Sequence, residues 1–226
     1  MNMSLIYFFD IFGTVVFSIS GVLVASRFRM DAFGAVVLGG LTAIGGGTIR
    51  DMAIGATPVF WMNDSTYLWV ILATCITTII AIRNQRNIPN WLLSISDAIG
   101  LAVFVGIGFE KAMQYQNLYT VATIIGVITG CGGGIVRDSL TGEIPSIFKR
   151  EIYATSCFIG GIVYASSLKL GLTNATSFFL CVSCTLIARL ISMNYSLSLP
   201  TVHMIEFSPT KSEKKDGIYN GYHEKV

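Results

Sequence analysis

The 226-residue chain is 53% hydrophobic and only 12% charged, with 15 basic and 13 acidic side chains, a formal net charge of +2 and a mean hydropathy of +0.66. Globular domains carry roughly 25% charged residues, and seven of the charges here fall in the last twenty positions, Phe207 to Val226. This composition excludes a disordered chain, a nucleic-acid binder and most soluble enzymes, and so small a net charge implies no polyanionic partner.

A bilayer core about 30 Å thick takes about 20 apolar residues per helix, and seven stretches fit. Leu5–Ala25 carries Asp10 inside its apolar run. It lacks a basic leader and a small-residue cleavage site, so it is expected to be a mature span. Ala32–Ile54 contains Gly45-Gly46-Gly47 and then Arg50-Asp51. Thr66–Ile82 is short, near the lower limit, and uncharged. Trp91–Phe109 holds Asp97, and Leu118–Thr141 repeats the second pattern with Gly132-Gly133-Gly134 and Arg137-Asp138. Ile152–Leu168 is again short and uncharged. Asn174–Tyr195 holds Arg189 near its end, where a long side chain is expected to snorkel to the interface. Beyond Pro200 the composition shifts to Ser, Lys, Glu, Gly and Asn, as expected of a disordered tail. The fold class is therefore an all-α integral membrane protein with seven transmembrane helices.

Cys75, Cys131, Cys157, Cys181 and Cys184 lie in apolar stretches and read as small hydrophobes. Cys181-x-x-Cys184 has neither a second pair nor a histidine nearby, so no metal or redox site is expected.

Basic residues orient the spans. The loops after the first, third and fifth carry Arg27, Arg29, Arg83, Arg86, Lys149 and Arg150, and the tail adds Lys211, Lys214, Lys215 and Lys225. The opposite face holds only Lys111 and Lys169. Positive residues stay inside, which places the N-terminus outside and the C-terminus in the cytoplasm.

Sliding the chain along itself by 87 positions aligns Asp10 with Asp97, both glycine triplets, both Arg-Asp pairs, Thr42 with Thr129, Gly55 with Gly142 and Pro58 with Pro145. In all, 16 of the 51 positions from 10 to 60 are identical without a gap. A unit of three spans is odd-numbered, so its second copy enters from the other side: residues 1–87 and 88–172 read as inverted three-helix repeats. Residues 173–199 form a seventh helix and 200–226 the tail. Inverted repeats of this kind place the functional path between the halves near the midplane.

Each helical glycine costs roughly 1 kcal/mol relative to alanine. A triplet therefore needs a reason: a break that turns carbonyls toward a passing cation, or close helix packing through small residues. Its recurrence three residues before Arg-Asp favours the first. Charges at the bilayer centre cost at least about 2.5 kcal/mol and normally face a cavity or a partner. Neighbouring helical residues point about 100° apart, so Arg50 is expected to pair with Asp138 or Asp97 instead of Asp51, and Arg137 with Asp51 or Asp10. The alternative is that the pairs simply brace the two halves. The hydroxyls of Thr42, Thr48 and Thr129 beside the triplets are expected to line a path.

At Gly45-Gly46-Gly47-Thr48-Ile49-Arg50-Asp51 and Gly132-Gly133-Gly134-Ile135-Val136-Arg137-Asp138 the sequence resembles the trimeric intracellular cation channel (TRIC) family, in particular its prokaryotic branch. The likeness covers about residues 5–195, and Pro58-Val59-Phe60-Trp61 belongs to it. It implies a homotrimer in which each protomer has its own hourglass pore, lined by the second and fifth spans kinked at the triplets and passing monovalent cations, mainly potassium. The matching residues are Gly45, Gly46, Gly47, Arg50, Asp51, Gly132, Gly133, Gly134, Arg137 and Asp138, with Thr42, Thr48 and Thr129 beside them and Asp10 and Asp97 as supporting charges. The Lys-Glu-Val motif that animal members use in lipid binding is missing near the first triplet, so phosphoinositide recognition and the animal calcium-store role are not implied. Some bacterial relatives carry a glycine-transporter label.

The expectation is a potassium-permeable cation channel of the bacterial inner membrane. A secondary transporter for a small zwitterion such as glycine is the alternative. No enzyme is expected, since the spans show no metal-ligand or nucleophile pattern. No cofactor is expected either: the ligands would be permeating K+ and Na+ and bound lipid, and the partners membrane lipids and two further copies of the chain.

Overall fold

The computed structural model describes residues 3–84, 89–149, 152–195 and 197. The tail from 200 to 226, and Arg86 and Arg150 of the orienting basic residues, lie outside this set. In chain order the elements are α1 (Met3–Arg27), α2 (Ala32–Ile54), the short α3 (Phe60–Asn63), α4 (Thr66–Asn84), α5 (Asn90–Tyr115), α6 (Tyr119–Leu140), one 3-10 turn (Ser146–Phe148), α7 (Ala154–Lys169) and α8 (Asn174–Tyr195). Among the described residues there is no strand, so the all-helical expectation holds. Six helices, α1, α2, α4, α5, α6 and α8, are long and apolar enough to cross a membrane. α7 falls where the sixth span is expected, but its 16 residues rise only about 24 Å.

Local chemistry sets the helix ends. Asp31 opens α2: its extended backbone and its carboxylate, which accepts from the Gly34 amide at 2.7 Å, satisfy a donor left free at the N-terminus. Gly55 closes the helix at φ 73°, a left-handed conformation that costs glycine little, and donates its N–H to the carbonyls of Met52 and Asp51. Gly142 occupies the same backbone region at φ 71° after α6, at the position 87 residues on.

α1 and α5 are the most enclosed helices and α4 the least. α1, α2 and α4 pack on one another, as do α5, α6 and α7. The two groups meet where α1 contacts α5 and α2 contacts α6, and α8 lies on α5 and α7. The core runs through Phe17, Leu101, Val105, Phe109, Tyr164 and Phe178. Its central contact is reciprocal: Gly13 faces the Phe104 ring, Gly100 faces the Phe17 ring, and the two rings lie 5.1 Å apart. Large apolar side chains such as Phe33, Met52, Trp69 and Ile187 cover the outer surface, as lipid contact requires.

The glycine triplets do not break their helices. α2 and α6 run as continuous α-helix through Gly45–Gly47 and Gly132–Gly134. The second reason for a triplet prevails here. A side chain on Gly46 would strike the Thr129 carbonyl, one on Gly133 the Thr42 carbonyl, and one on Gly132 would come within 2.8 Å of the Gly46 Cα. Unpaired backbone in hydrocarbon costs several kcal/mol per group. Retaining the helical hydrogen bonds and using missing side chains to bring α2 against α6 avoids that cost. Similar close crossings bring Gly21 to Gly39 between α1 and α2, and Gly108 to Gly126 between α5 and α6.

Candidate functional site

Two charge clusters flank the α2–α6 crossing. Their separation follows from helical rise: Asp10 and Ser20, which belong to different clusters, stand about 15 Å apart along α1, and Lys111 and Asp97 about 21 Å apart along α5.

The first cluster gathers Asp10 (α1), Arg50 and Asp51 (α2), Tyr67 (α4) and Lys111 (α5). Arg50 donates from Nε to Asp51 Oδ1 at 2.8 Å, and Lys111 Nζ lies 2.9 Å from the same oxygen. Asp51 Oδ2 accepts from the Phe60 amide at 2.8 Å, which ties the loop after α2 back onto the helix. The Phe60 ring lies 5.4 Å from the Arg50 guanidinium carbon and packs edge-on against Tyr67. Tyr67 donates its hydroxyl to Asp10 Oδ2 at 2.8 Å. Asp10 Oδ1 and both Nη atoms of Arg50 are buried without a hydrogen-bond partner.

The second cluster gathers Asp97 (α5), Arg137 and Asp138 (α6) and Ser20 (α1). Arg137 donates from Nε to Asp138 Oδ1 at 2.8 Å, and from Nη1 to Asp97 Oδ1 at 2.8 Å and to Ser20 Oγ at 2.5 Å. Asp138 Oδ2 accepts from the Ser146 amide at 3.0 Å, matching the Asp51–Phe60 tie of the first cluster. Tyr153 is buried beside Gly134, and the Arg189 guanidinium lies over its ring at 4.9 Å.

The pairing expected from helical geometry is corrected. Each arginine binds its sequence neighbour, Arg50 with Asp51 and Arg137 with Asp138, and a further ionic partner of Arg137 is Asp97 of α5. A 100° offset between Cα–Cβ directions does not bar contact, because three methylenes let the arginine fold sideways until Nε meets the adjacent carboxylate. Arg189 is corrected too: at 5% exposed it is turned inward onto Tyr153, not out to the interface.

Among the other anticipated residues, Thr42 and Thr129 are fully buried and donate to the carbonyls of Leu38 and Ile125, each at 2.6 Å. Thr48 donates to the Ile44 carbonyl at 2.8 Å and accepts from Trp61 Nε1 at 3.1 Å. Gly45 faces Val136, and Gly47 faces the Phe60 ring. Sequence reading missed Tyr67, Tyr153 and the inward roles of Lys111 and Ser20. Lys111 counts as a loop charge when a span is ended at Phe109, yet α5 continues to Tyr115 and carries it to Asp51. Glu110 is buried on the same turn, accepting from the Tyr164 hydroxyl and, at 3.4 Å, from Asn174 Nδ2. The continuous helical register through Lys111-Ala112-Met113 was the available signal. Among the described residues no group of three or more His, Cys, Asp or Glu is placed to hold a metal ion.

Residues 7–83 and 94–168 match the model of a sequence family described as glycine transporter. The UPF0126 membrane protein of Vibrio cholerae is 54% identical over 201 residues, covering 89% of this chain and 84% of its own. The UPF0126 inner membrane protein YadS of Escherichia coli K12 is 50% identical over 203 residues, covering 89% and 98%. Among solved structures, a TRIC trimeric intracellular cation channel orthologue from Rhodobacter sphaeroides superposes with a TM-score of 0.81 at 34% identity, over 86% of this chain and all of that one. A prokaryotic TRIC channel in 0.5 M KCl superposes with a TM-score of 0.80 at 31% identity, over 88% of this chain and 100% of that one.

Proposed function

The chain belongs to the TRIC family, and from that premise we propose that it is a monovalent-cation channel of the bacterial inner membrane. Its path runs in each protomer between the two halves, beside the α2–α6 crossing. Potassium is the main permeant ion. The protein works without a cofactor, with bilayer lipid as its remaining ligand, and three copies assemble. α1, α2 and α4 form one repeat and α5, α6 and α7 its inverted copy, with α7 and α8 completing seven spans. The N-terminus faces outside and the C-terminus the cytoplasm.

One observation carries this reading. Opposed Arg-Asp clusters stand at either end of a glycine-lined contact between α2 and α6, where a cation would meet carboxylates held by fixed partners. Thr42, Thr48, Gly45–Gly47 and their counterparts Thr129 and Gly132–Gly134 border that contact. The reciprocal Gly13–Phe104 and Gly100–Phe17 contacts support the repeat assignment.

The test is purified protein in a planar bilayer under a potassium gradient. Discrete unitary currents with a reversal potential near that of potassium are expected. Saturable glycine uptake into liposomes, coupled to protons or sodium and without unitary currents, would overturn the channel reading in favour of a zwitterion transporter.

A further inference from the structure

The two clusters hold matching residues 87 positions apart, yet they are wired differently. Asp97 bonds directly to Arg137 Nη1. Its counterpart Asp10 bonds instead to the Tyr67 hydroxyl, and the Nη atoms of Arg50, counterpart of Arg137, are left without acceptors. The loop ties at Phe60 and Ser146 lie 86 residues apart, which makes Tyr153 the counterpart of Tyr67, but the Tyr153 hydroxyl has no hydrogen-bond partner and Asp97 pairs with Arg137 instead. Part of the reason lies in the sequence. Ser20, the second acceptor on Arg137 Nη1, aligns with Ile107, so Arg50 has no matching hydroxyl to turn to.

Buried ionic groups left without a hydrogen-bond partner are costly. The first cluster holds three such atoms, on side chains 8% and 1% exposed, and they carry opposite charges. Arg50 acts electrostatically on Asp10. Direct pairing would satisfy an oxygen and a nitrogen together, and the second cluster displays the geometry for doing so.

We propose that Tyr67 is a latch that holds Asp10 off Arg50, and that the first cluster has a second state in which Asp10 leaves the tyrosine and pairs with Arg50 Nη1 as Asp97 pairs with Arg137. The inference rests on the inverted-repeat channel reading, because it takes one repeat as the template for the other. The exchange is non-covalent: one hydroxyl hydrogen bond is lost and one ion pair forms. Its reach follows from packing. Tyr67 supports the Phe60 ring, which covers both the Arg50 guanidinium and Gly47. Freeing Tyr67 loosens Phe60 from the end of the α2–α6 contact, so the switch couples a positioning residue on the peripheral α4 to the mouth of the path.

The experiment uses the full chain with Tyr67→Phe, which removes one oxygen, and Tyr153→Phe, whose hydroxyl has no partner, as control. A crystal structure of Tyr67→Phe is expected to show Asp10 in ion-pair contact with Arg50. In bilayers its open probability is expected to shift by about tenfold or more, the effect of losing a hydrogen bond to a charged group. Adding Asp10→Asn is expected to cancel that shift, while Tyr153→Phe leaves the first cluster unchanged. Asp10 still apart from Arg50 in the Tyr67→Phe structure overturns the proposal, as does a wild-type open probability in that variant. If no form of the protein conducts, the channel reading fails on its own, and the variant structure still decides the switch.

Discussion

Arg137 and Arg50 occupy matching positions but hold different numbers of partners, and that difference sets what their loss does. Arg137 serves Asp138, Asp97 and Ser20 together. Replacing it strands two buried carboxylates, and breaking a buried pair by removing one partner typically costs about 3–5 kcal/mol. Among the described residues Arg50 hydrogen-bonds Asp51 alone, and Lys111 remains on the same Asp51 oxygen after Arg50 is gone. Arg137→Gln is therefore expected to lower stability by about 3–5 kcal/mol, and Arg50→Gln by less than about 2 kcal/mol. Denaturant unfolding followed by tryptophan fluorescence in detergent would test the order, and equal losses would refute it. Residue types were legible at this scale, since an Arg-Asp step inside an apolar span announces a partner. Which partner was not legible, because a flexible arginine reaches several carboxylates and only the packed helices decide among them.

For the helices, the matter is what the glycine triplets accomplish. At Gly46 and Gly133 a methyl group would meet a carbonyl oxygen of the facing helix, which is backbone and cannot swing aside. At Gly45 it would come within 3.2 Å of a Val136 methyl, and at Gly40 within 3.5 Å of Ile71, both side chains with some freedom. Gly46→Ala and Gly133→Ala are thus each expected to destabilise by about 1–3 kcal/mol through overpacking, whereas Gly40→Ala stays near wild type. Thermal melts of the purified variants provide the check, and the expectation fails if Gly40→Ala is the worst of the three. Helix positions were legible from the apolar runs, and each expected span coincides with a helix. The error at Phe109 arose because Glu110-Lys111 looks like a loop by composition while the backbone continues in register to Tyr115. The purpose of the triplets was ambiguous for a related reason: weak helix propensity marks a break and a close crossing equally, and only a neighbouring helix distinguishes them.

Across the whole molecule, the proposed orientation rests on charge at the helix ends and in the loops. Arg27, Arg29, Arg83 and Lys149 lie at one end of the bundle by chain order, and the proposed direction follows the positive-inside rule. A green fluorescent protein fused after Val226 is expected to fluoresce, and alkaline phosphatase fused there to be inactive. The reverse pattern would invert the topology. By itself the sequence determined the membrane class, the helix positions, the 87-residue repeat and the family, because these depend on composition, period and motif, which are properties of the chain in one dimension. The tertiary structure alone decided that the triplets join α2 to α6 without breaking them, that Arg50 and Arg137 bind their own neighbours, and that Tyr67, Lys111 and Ser20 complete the clusters. Those outcomes depend on which side chains meet across helices far apart in the chain. Two copies of one motif acquired different wiring in part because an isoleucine stands at 107 where a serine stands at 20.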